Sequence, residues 1–179
     1  MEFQKVVETR RSIRKYDKDK KVTREMLEEL IKVASYAPSW KNSQTARYHC
    51  ITSEDMLAKI KNECLPEYNA NNSKDASAII VTTFVNHRSG FEKDGTPTNE
   101  LGDGWGCYDL GLNNMLFLLK ANELGLGTLV MGLRDEKKIK ELLGIDETET
   151  VVSVLALGYK DIEPDMPKRK EVEQIATFY

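Results

Sequence analysis

The segment from Trp105 to Leu124 constrains this chain more than any other: it reads as the longest helix, and apolar side chains occupy much of its circumference. A helix of that kind is buried from more than one side, in a core or between subunits. Gly125 follows as its natural C′ residue. At 179 residues the chain is long enough to bury such a helix in one substantial core. No repeat or linker divides it, so residues 1–179 are expected to form a single domain.

The other elements alternate between helix and strand. Phe3, Val6 and Val7 give a short helical stripe. Thr23 is a plausible N-cap for a helix with Met26, Leu27, Leu30, Ile31 and Ala34 on one face, and Pro38 limits its extent. Tyr48–Thr52 reads as a strand, and Ser53 as the cap of a helix carrying Met56, Leu57 and Ile60. Ala78–Val85 is a nearly continuous apolar, β-branched run suited to a sheet interior. Thr128–Met131 and Val151–Leu157 are further strands, and Asp135–Leu143 is a helix stopped by Gly144. The interval from His87 to Gly104 is rich in Gly, Asp, Thr and Asn, and a loop of that length is either functional or disordered.

Arg10-Arg11-Ser12-Ile13-Arg14 places three guanidinium groups and a hydroxyl within five residues. In an extended segment Arg10, Ser12 and Arg14 share one face, offering planar forks to an anion such as a phosphate. By itself such a stretch also fits a solvated charged turn. The overall charge of -3 excludes a general nucleic-acid binder, because the cations are clustered rather than in excess. That pattern suits one small anionic ligand.

Several other chemistries lack their signatures. Gly125-Leu126-Gly127 closes a helix and precedes a strand, the reverse of a dinucleotide-binding loop, so it reads as a cap and tight turn. His49 and His87 are the only histidines, and no Cys/His/Asp/Glu set has zinc spacing. Nothing resembles a nucleophile elbow. Asp109, inside the apolar helix, reads as a buried structural anchor. Cys50, Cys64 and Cys107 show no redox spacing and suggest a reducing compartment. With no signal-peptide core and no apolar run of about 20 residues, the expected location is the cytoplasm, away from membranes.

Taken in order, Arg10–Arg14, Ala37-Pro38-Ser39 with Asn42 and Gln44, Asp109, Leu124–Thr128, Met131-Gly132 and the basic tail around Arg169 resemble the nitroreductase family of flavin-dependent oxidoreductases. The resemblance implies an α+β fold, with a central mixed β-sheet flanked by helices, in an intertwined homodimer that shares two FMN sites. It implies that Arg10, Ser12 and Arg169, with Arg11 and Lys168, hold the phosphate and ribityl end. Arg14 would approach the pyrimidine side of the ring. Pro38, Ser39, Trp40, Asn42 and Gln44 would come from the other subunit, and Met131 and Gly132 would lie beside the reactive edge.

Flavin carries the redox chemistry in such a site, so no acid–base dyad is required. Arg14 would instead give electrostatic support and Gly132 a close backbone donor to N5. The implied reaction passes hydride from NADH or NADPH through flavin N5 to a small-molecule acceptor, such as a nitroaromatic or quinone, with ping-pong kinetics. Trp40 and Phe91 are the candidate substrate-binding walls. Two alternatives stay open: a non-catalytic flavin-binding module, and a reductase of the same fold acting in dehalogenation or flavin breakdown. The chain departs from the family pattern at Thr45-Ala46, where members often carry Pro-Trp, and in the bulk of Trp40.

Overall fold

The computed structural model describes residues 2–179. Four strands, β1 (Ala46–Ile51), β2 (Ala78–Val85), β3 (Leu126–Met131) and β4 (Glu149–Tyr159), form one sheet in the order β1-β2-β4-β3. All pairings between them are antiparallel. The mixed character expected of the sheet is therefore confined to one parallel bridge, Ser12 to Thr128. Its cause is the extended N-terminal segment, which runs alongside the edge strand β3 and donates the Ile13 N–H to the Thr128 carbonyl at 2.8 Å.

Helices α1 (Phe3–Thr9), α2 (Arg24–Ala34), α3 (Glu54–Lys59), α4 (Glu67–Ser73), α5 (Gly104–Glu123) and α6 (Glu136–Leu143) cover the two faces of the sheet. Alternation along β2 explains both contacts. Ile79 and Val81 face a cluster with Leu57, Ile60, Leu129, Met131 and Ile139. Ala78 and Ile80 face the opposite cluster, with Leu27, Leu30, Phe117, Ala121 and Leu155. Leu30, Ile80 and Phe117 are completely buried, and side chains of this size contribute roughly 1.5–3 kcal/mol each on burial.

The expected caps form. Thr23 Oγ1 accepts from the Met26 N–H at 3.3 Å, and Asp135 Oδ1 accepts from the Lys138 N–H at 3.1 Å. Gly125 and Gly144 take φ of 78° and 64°, which a Cβ would strain. The helix expected after Ser53 is shorter than its pattern, because α3 passes into a π-helical turn at Ile60–Cys64. α4 escapes prediction because its sequence, Glu-Tyr-Asn-Ala-Asn-Asn-Ser, has little helical preference. A tertiary bond holds it instead, from Asn69 Nδ2 to the Leu133 carbonyl at 2.9 Å, and within the helix Ser73 Oγ donates back to the Asn69 carbonyl at 2.8 Å.

Gly127 belongs to β3 rather than to the turn before it. A Cβ there would lie 2.8 Å from Ile13 Cγ1 and 2.9 Å from Ile13 Cβ, so glycine lets the Arg10–Arg14 segment lie flat on the strand. Ile13 Cβ is fixed by its own backbone and cannot swing away. Gly127→Ala is expected to lift the segment and lower stability by about 1–3 kcal/mol, the usual range for overpacking. Urea unfolding checks this, and an unchanged midpoint would show that Ile13 relaxes elsewhere.

Candidate functional site

The extended Arg10–Arg14 segment alternates as the sequence suggests: Ile13 is buried beneath it, while Ser12 and Arg14 face outward. α1 is tied to α5 just before this segment, where Asn122 Nδ2 donates to the Val6 carbonyl and to Thr9 Oγ1, each at 2.9 Å. A cleft of about 360 Å³ opens at this junction, with Arg10, Arg11, Lys5 and Lys160 among its walls and Glu123 and Glu163 as its carboxylates. Lys160 pairs with Glu163 at 2.7 Å.

The arginines are different. Among the described residues, Arg10, Arg11, Arg14 and Arg169 make no ion pair. Arg11, Arg14 and Arg169 donate only to backbone carbonyls, those of Glu8 and Arg10, Ser12, and Pro167 respectively. Arg11 Nε is buried without an acceptor. Burial, then repulsion from Arg169 and from Arg11, lowers the pKa of Arg10. Arg169, far away in sequence, thus lies within electrostatic range of Arg10, while the neighbouring Lys168 is exposed. Arg10, Arg11 and Arg169 are like charges close together, none of them in an ion pair with a carboxylate, and such a group can receive an anion with several acceptor oxygens.

The loop containing Pro38, Ser39, Trp40, Asn42 and Gln44 lies at the other end of α5. Lys41, Asn42 and Gln44 adopt φ of 47°, 55° and 49°, a left-handed conformation that non-glycine residues adopt only when held there. Ser39 Oγ accepts from the Gln44 N–H at 3.0 Å. Asp109, 3% exposed, accepts the Trp40 N–H at 2.9 Å and also a hydrogen bond from Ser89 Oγ. The expected structural role of Asp109 is therefore borne out. Trp40 Nε1 and Ser43 Oγ are buried without a partner, leaving two polar groups of this loop available to a ligand or a neighbouring chain.

Met131 and Gly132 end β3. The Met131 side chain is 2% exposed and packs in the core, so only its backbone can serve a ligand. A Cβ on Gly132 would meet no atom within 4 Å, so this chain's packing does not require glycine there and the space above the backbone is open. Asn69 fixes the following loop through Leu133, and nearby Asn72 Nδ2 is buried without a partner. Sequence reasoning did not single out either asparagine for a role. The family resemblance places Asn69, Asn71 and Asn72 near a region that contacts flavin in some members, but too loosely to assign either a role.

The 87–104 segment is folded onto itself. The Thr98 N–H donates to the Gly90 carbonyl at 2.8 Å, and Trp105 Nε1 donates to Asn99 Oδ1 at 2.9 Å. His87 pairs with Asp103 at 3.2 Å, and Lys41 reaches across to Glu92 at 2.9 Å. Phe91 and Trp40 line a cleft of about 610 Å³ between this segment and the Ser39–Gln44 loop. Among the described residues no group of His, Cys, Asp or Glu could hold a metal, and no helix is long and apolar enough to cross a membrane.

An antiparallel sheet covered by helices, with an arginine-lined cleft and a strained loop at opposite ends of one long helix, describes an α+β protein. The chain matches the nitroreductase family model over residues 7–159 and belongs to that family. A protein of Archaeoglobus fulgidus named "putative NADH dehydrogenase/NAD(P)H nitroreductase" is 33% identical over 170 residues, covering 90% of this chain and 87% of that one. Among solved structures, a "putative nitroreductase in complex with FMN" from Exiguobacterium sibiricum superposes with a TM-score of 0.89 at 23% identity, covering 100% of this chain and 98% of that one. A nitroreductase family protein from Clostridium difficile gives a TM-score of 0.80 at 24% identity, covering 99% and 98%. These two structures establish the shared fold.

Proposed function

We propose that this protein is an FMN-dependent NAD(P)H oxidoreductase that reduces an electron-poor acceptor such as a nitroaromatic or quinone. The observation that carries the reading is the group of unpaired guanidiniums at Arg10, Arg11, Arg14 and Arg169, supported by the open backbone at Gly132. These groups fit a cofactor with a dianionic phosphate at one end and a planar ring at the other. FMN, when bound, supplies the hydride transfer. Arg10, Arg11, Ser12 and Arg169, with Lys168, would hold the phosphate and ribityl chain. Arg14 would place a permanent positive charge beside the pyrimidine edge, favouring negative charge there. Gly132 would offer its backbone N–H without steric obstruction.

The same reading makes the site a property of two chains. Asp109 and Asn122 anchor the two groups of site residues thirteen positions apart on α5, or about 20 Å at helical rise. Along the same helix, Tyr108, Gly111 and Met115 form an exposed stripe with half-buried Leu112. Two α5 helices crossed in opposite directions near Met115 would bring the Asp109 end of one beside the Asn122 end of the other. Pro38, Ser39, Trp40, Asn42 and Gln44 of one protomer would then complete the arginine site of its partner. Exposed Met166, Ile175 and Phe178 on the tail, 56%, 70% and 82% accessible, suit an intertwined homodimer.

Trp40 and Phe91 would wall the acceptor, whose planar stacking needs few directed bonds. Donor and acceptor would occupy one face in turn, so initial-rate lines at several acceptor concentrations are expected to be parallel, the ping-pong pattern. Intersecting lines would contradict the shared face. Anaerobic addition of NADH or NADPH to the purified yellow protein tests the reading directly. Absence of bleaching with both would favour a non-catalytic flavin-binding module.

A further inference from the structure

The cleft between the Trp40–Asn42 turn and the 87–104 segment carries a charge pattern that planar acceptors do not need. Its walls hold Lys41, Arg88 and Lys93 against the single carboxylate of Glu92. Lys41 and Glu92 neutralise each other at 2.9 Å. Arg88 and Lys93 are left, among the described residues, with no ion pair. Two free cations facing one cleft, in a chain of net charge -3, select an anion.

The rest of the cleft is built for a planar group. Phe91 is held edge-on by the His87 ring at 5.1 Å, and Trp40 packs on Trp105 at 4.7 Å between centroids. Asp109 bonds both walls, through Trp40 and Ser89, so their spacing is fixed. On the far side of Gly90, a Cβ would meet Trp105 Cδ1 at 2.6 Å, which keeps the segment pressed against α5. The volume, about 610 Å³, is that of a small-molecule site. The cleft is also continuous with the cofactor loop, because Trp40 and Asn42 belong to both.

We propose that this cleft receives the adenosine end of the nicotinamide donor and that Arg88 and Lys93 read its 2′-phosphate, making the enzyme selective for NADPH over NADH. The inference rests on the oxidoreductase reading above. A phosphate monoester dianion gains charge-assisted hydrogen bonds from a guanidinium and an ammonium, whereas the 2′-hydroxyl of NADH can give neither a comparable return. An anionic acceptor would satisfy the same cations, so the experiment must separate donor from acceptor.

Calorimetric titration of the flavin-loaded enzyme with 2′,5′-ADP and with 5′-AMP isolates the 2′-phosphate without any redox step. The expected result is at least tenfold tighter binding of 2′,5′-ADP, with the difference shrinking as salt rises. Arg88→Ala and Lys93→Ala should bring the two ligands within threefold of each other. Both should raise the KM for NADPH at least tenfold more than that for NADH, with FMN content unchanged. Equal binding of the two nucleotides, or wild-type preference for NADH, would overturn the proposal. So would variants that raise the KM of an anionic quinone while leaving that of NADPH alone. Discrimination of 2′,5′-ADP without flavin bleaching by either nicotinamide nucleotide would overturn the oxidoreductase reading while supporting the phosphate site.

Discussion

Met115→Asp and Tyr108→Asp should each convert the protein to monomers and release its flavin. The two side chains are 40% and 59% exposed and lie seven residues apart on the outer stripe of α5. A carboxylate at Met115 would be buried against its own symmetry mate, and one at Tyr108 against the Asn122 end of the partner helix, where Lys120 is already paired with Glu29 and Glu123. Burying an unpaired charge costs several kcal/mol, so an effect of about 4 kcal/mol, or roughly a thousandfold in the dimer dissociation constant, is expected. Sedimentation gives the state of assembly, and the absorbance of the protein after gel filtration gives the retained flavin. A variant that stays dimeric, or a wild-type protein that is a flavin-bound monomer at micromolar concentration, would refute the shared site. Complementation adds a second test. Chains carrying Arg14→Ala, mixed with chains carrying Asn42→Ala and Gln44→Ala, should regain one intact site in the heterodimer.

Arg10→Ala and Arg169→Ala should affect the empty and loaded proteins in opposite directions. Without a bound anion, Arg169 and Arg11 repel Arg10, and removing one guanidinium relieves that repulsion. With FMN bound, the same change removes a charge-assisted contact to the phosphate, worth about 1.5–3 kcal/mol. The melting temperature of the flavin-free protein should therefore stay level or rise. FMN affinity should fall by roughly 10- to 150-fold for each single variant, since 1.4 kcal/mol is tenfold. Titration with riboflavin is the control, because it lacks the phosphate. Equal affinities of the wild type for riboflavin and FMN would remove the phosphate role from these arginines.

The elements easiest to read from the sequence are those whose burial is continuous. β2 is buried at every position but its last and has the predicted ends, Ala78 and Val85. α5 matches its apolar pattern to within a residue at each end. α4 and the π-helical turn before it were hidden, because one depends on side-chain bonds to distant backbone and the other on how two helices meet. Within the candidate site, the extended run at Arg10–Arg14 and the anchoring role of Asp109 were legible from alternation and from a polar residue in an apolar helix. The approach of Arg169 to Arg10 was implied by the family resemblance alone, since no local pattern encodes a contact between residues so far apart. The glycine at 127 looked like part of a turn. Only the position of Ile13 over β3 explains it.

The carboxylate of Asp109 divides the 87–104 segment into parts with different freedom to vary. Ser89 is fixed by that bond, Gly90 by its closeness to Trp105, and Asp103 by His87. Residues 93–97 are exposed and closed by their own turn, in which the Glu92 N–H donates to the Thr96 carbonyl at 2.8 Å. The segment is thus a rigid frame around an exchangeable tip. Insertions, deletions and changes of charge at the tip leave the helix and the Ser39–Gln44 loop in register, whereas a single substitution at Ser89 reaches the backbone of Trp40 through one shared oxygen. Laboratory variation that must spare the fold can therefore be confined to residues 94–97, with Phe91, Lys93 and the frame left untouched.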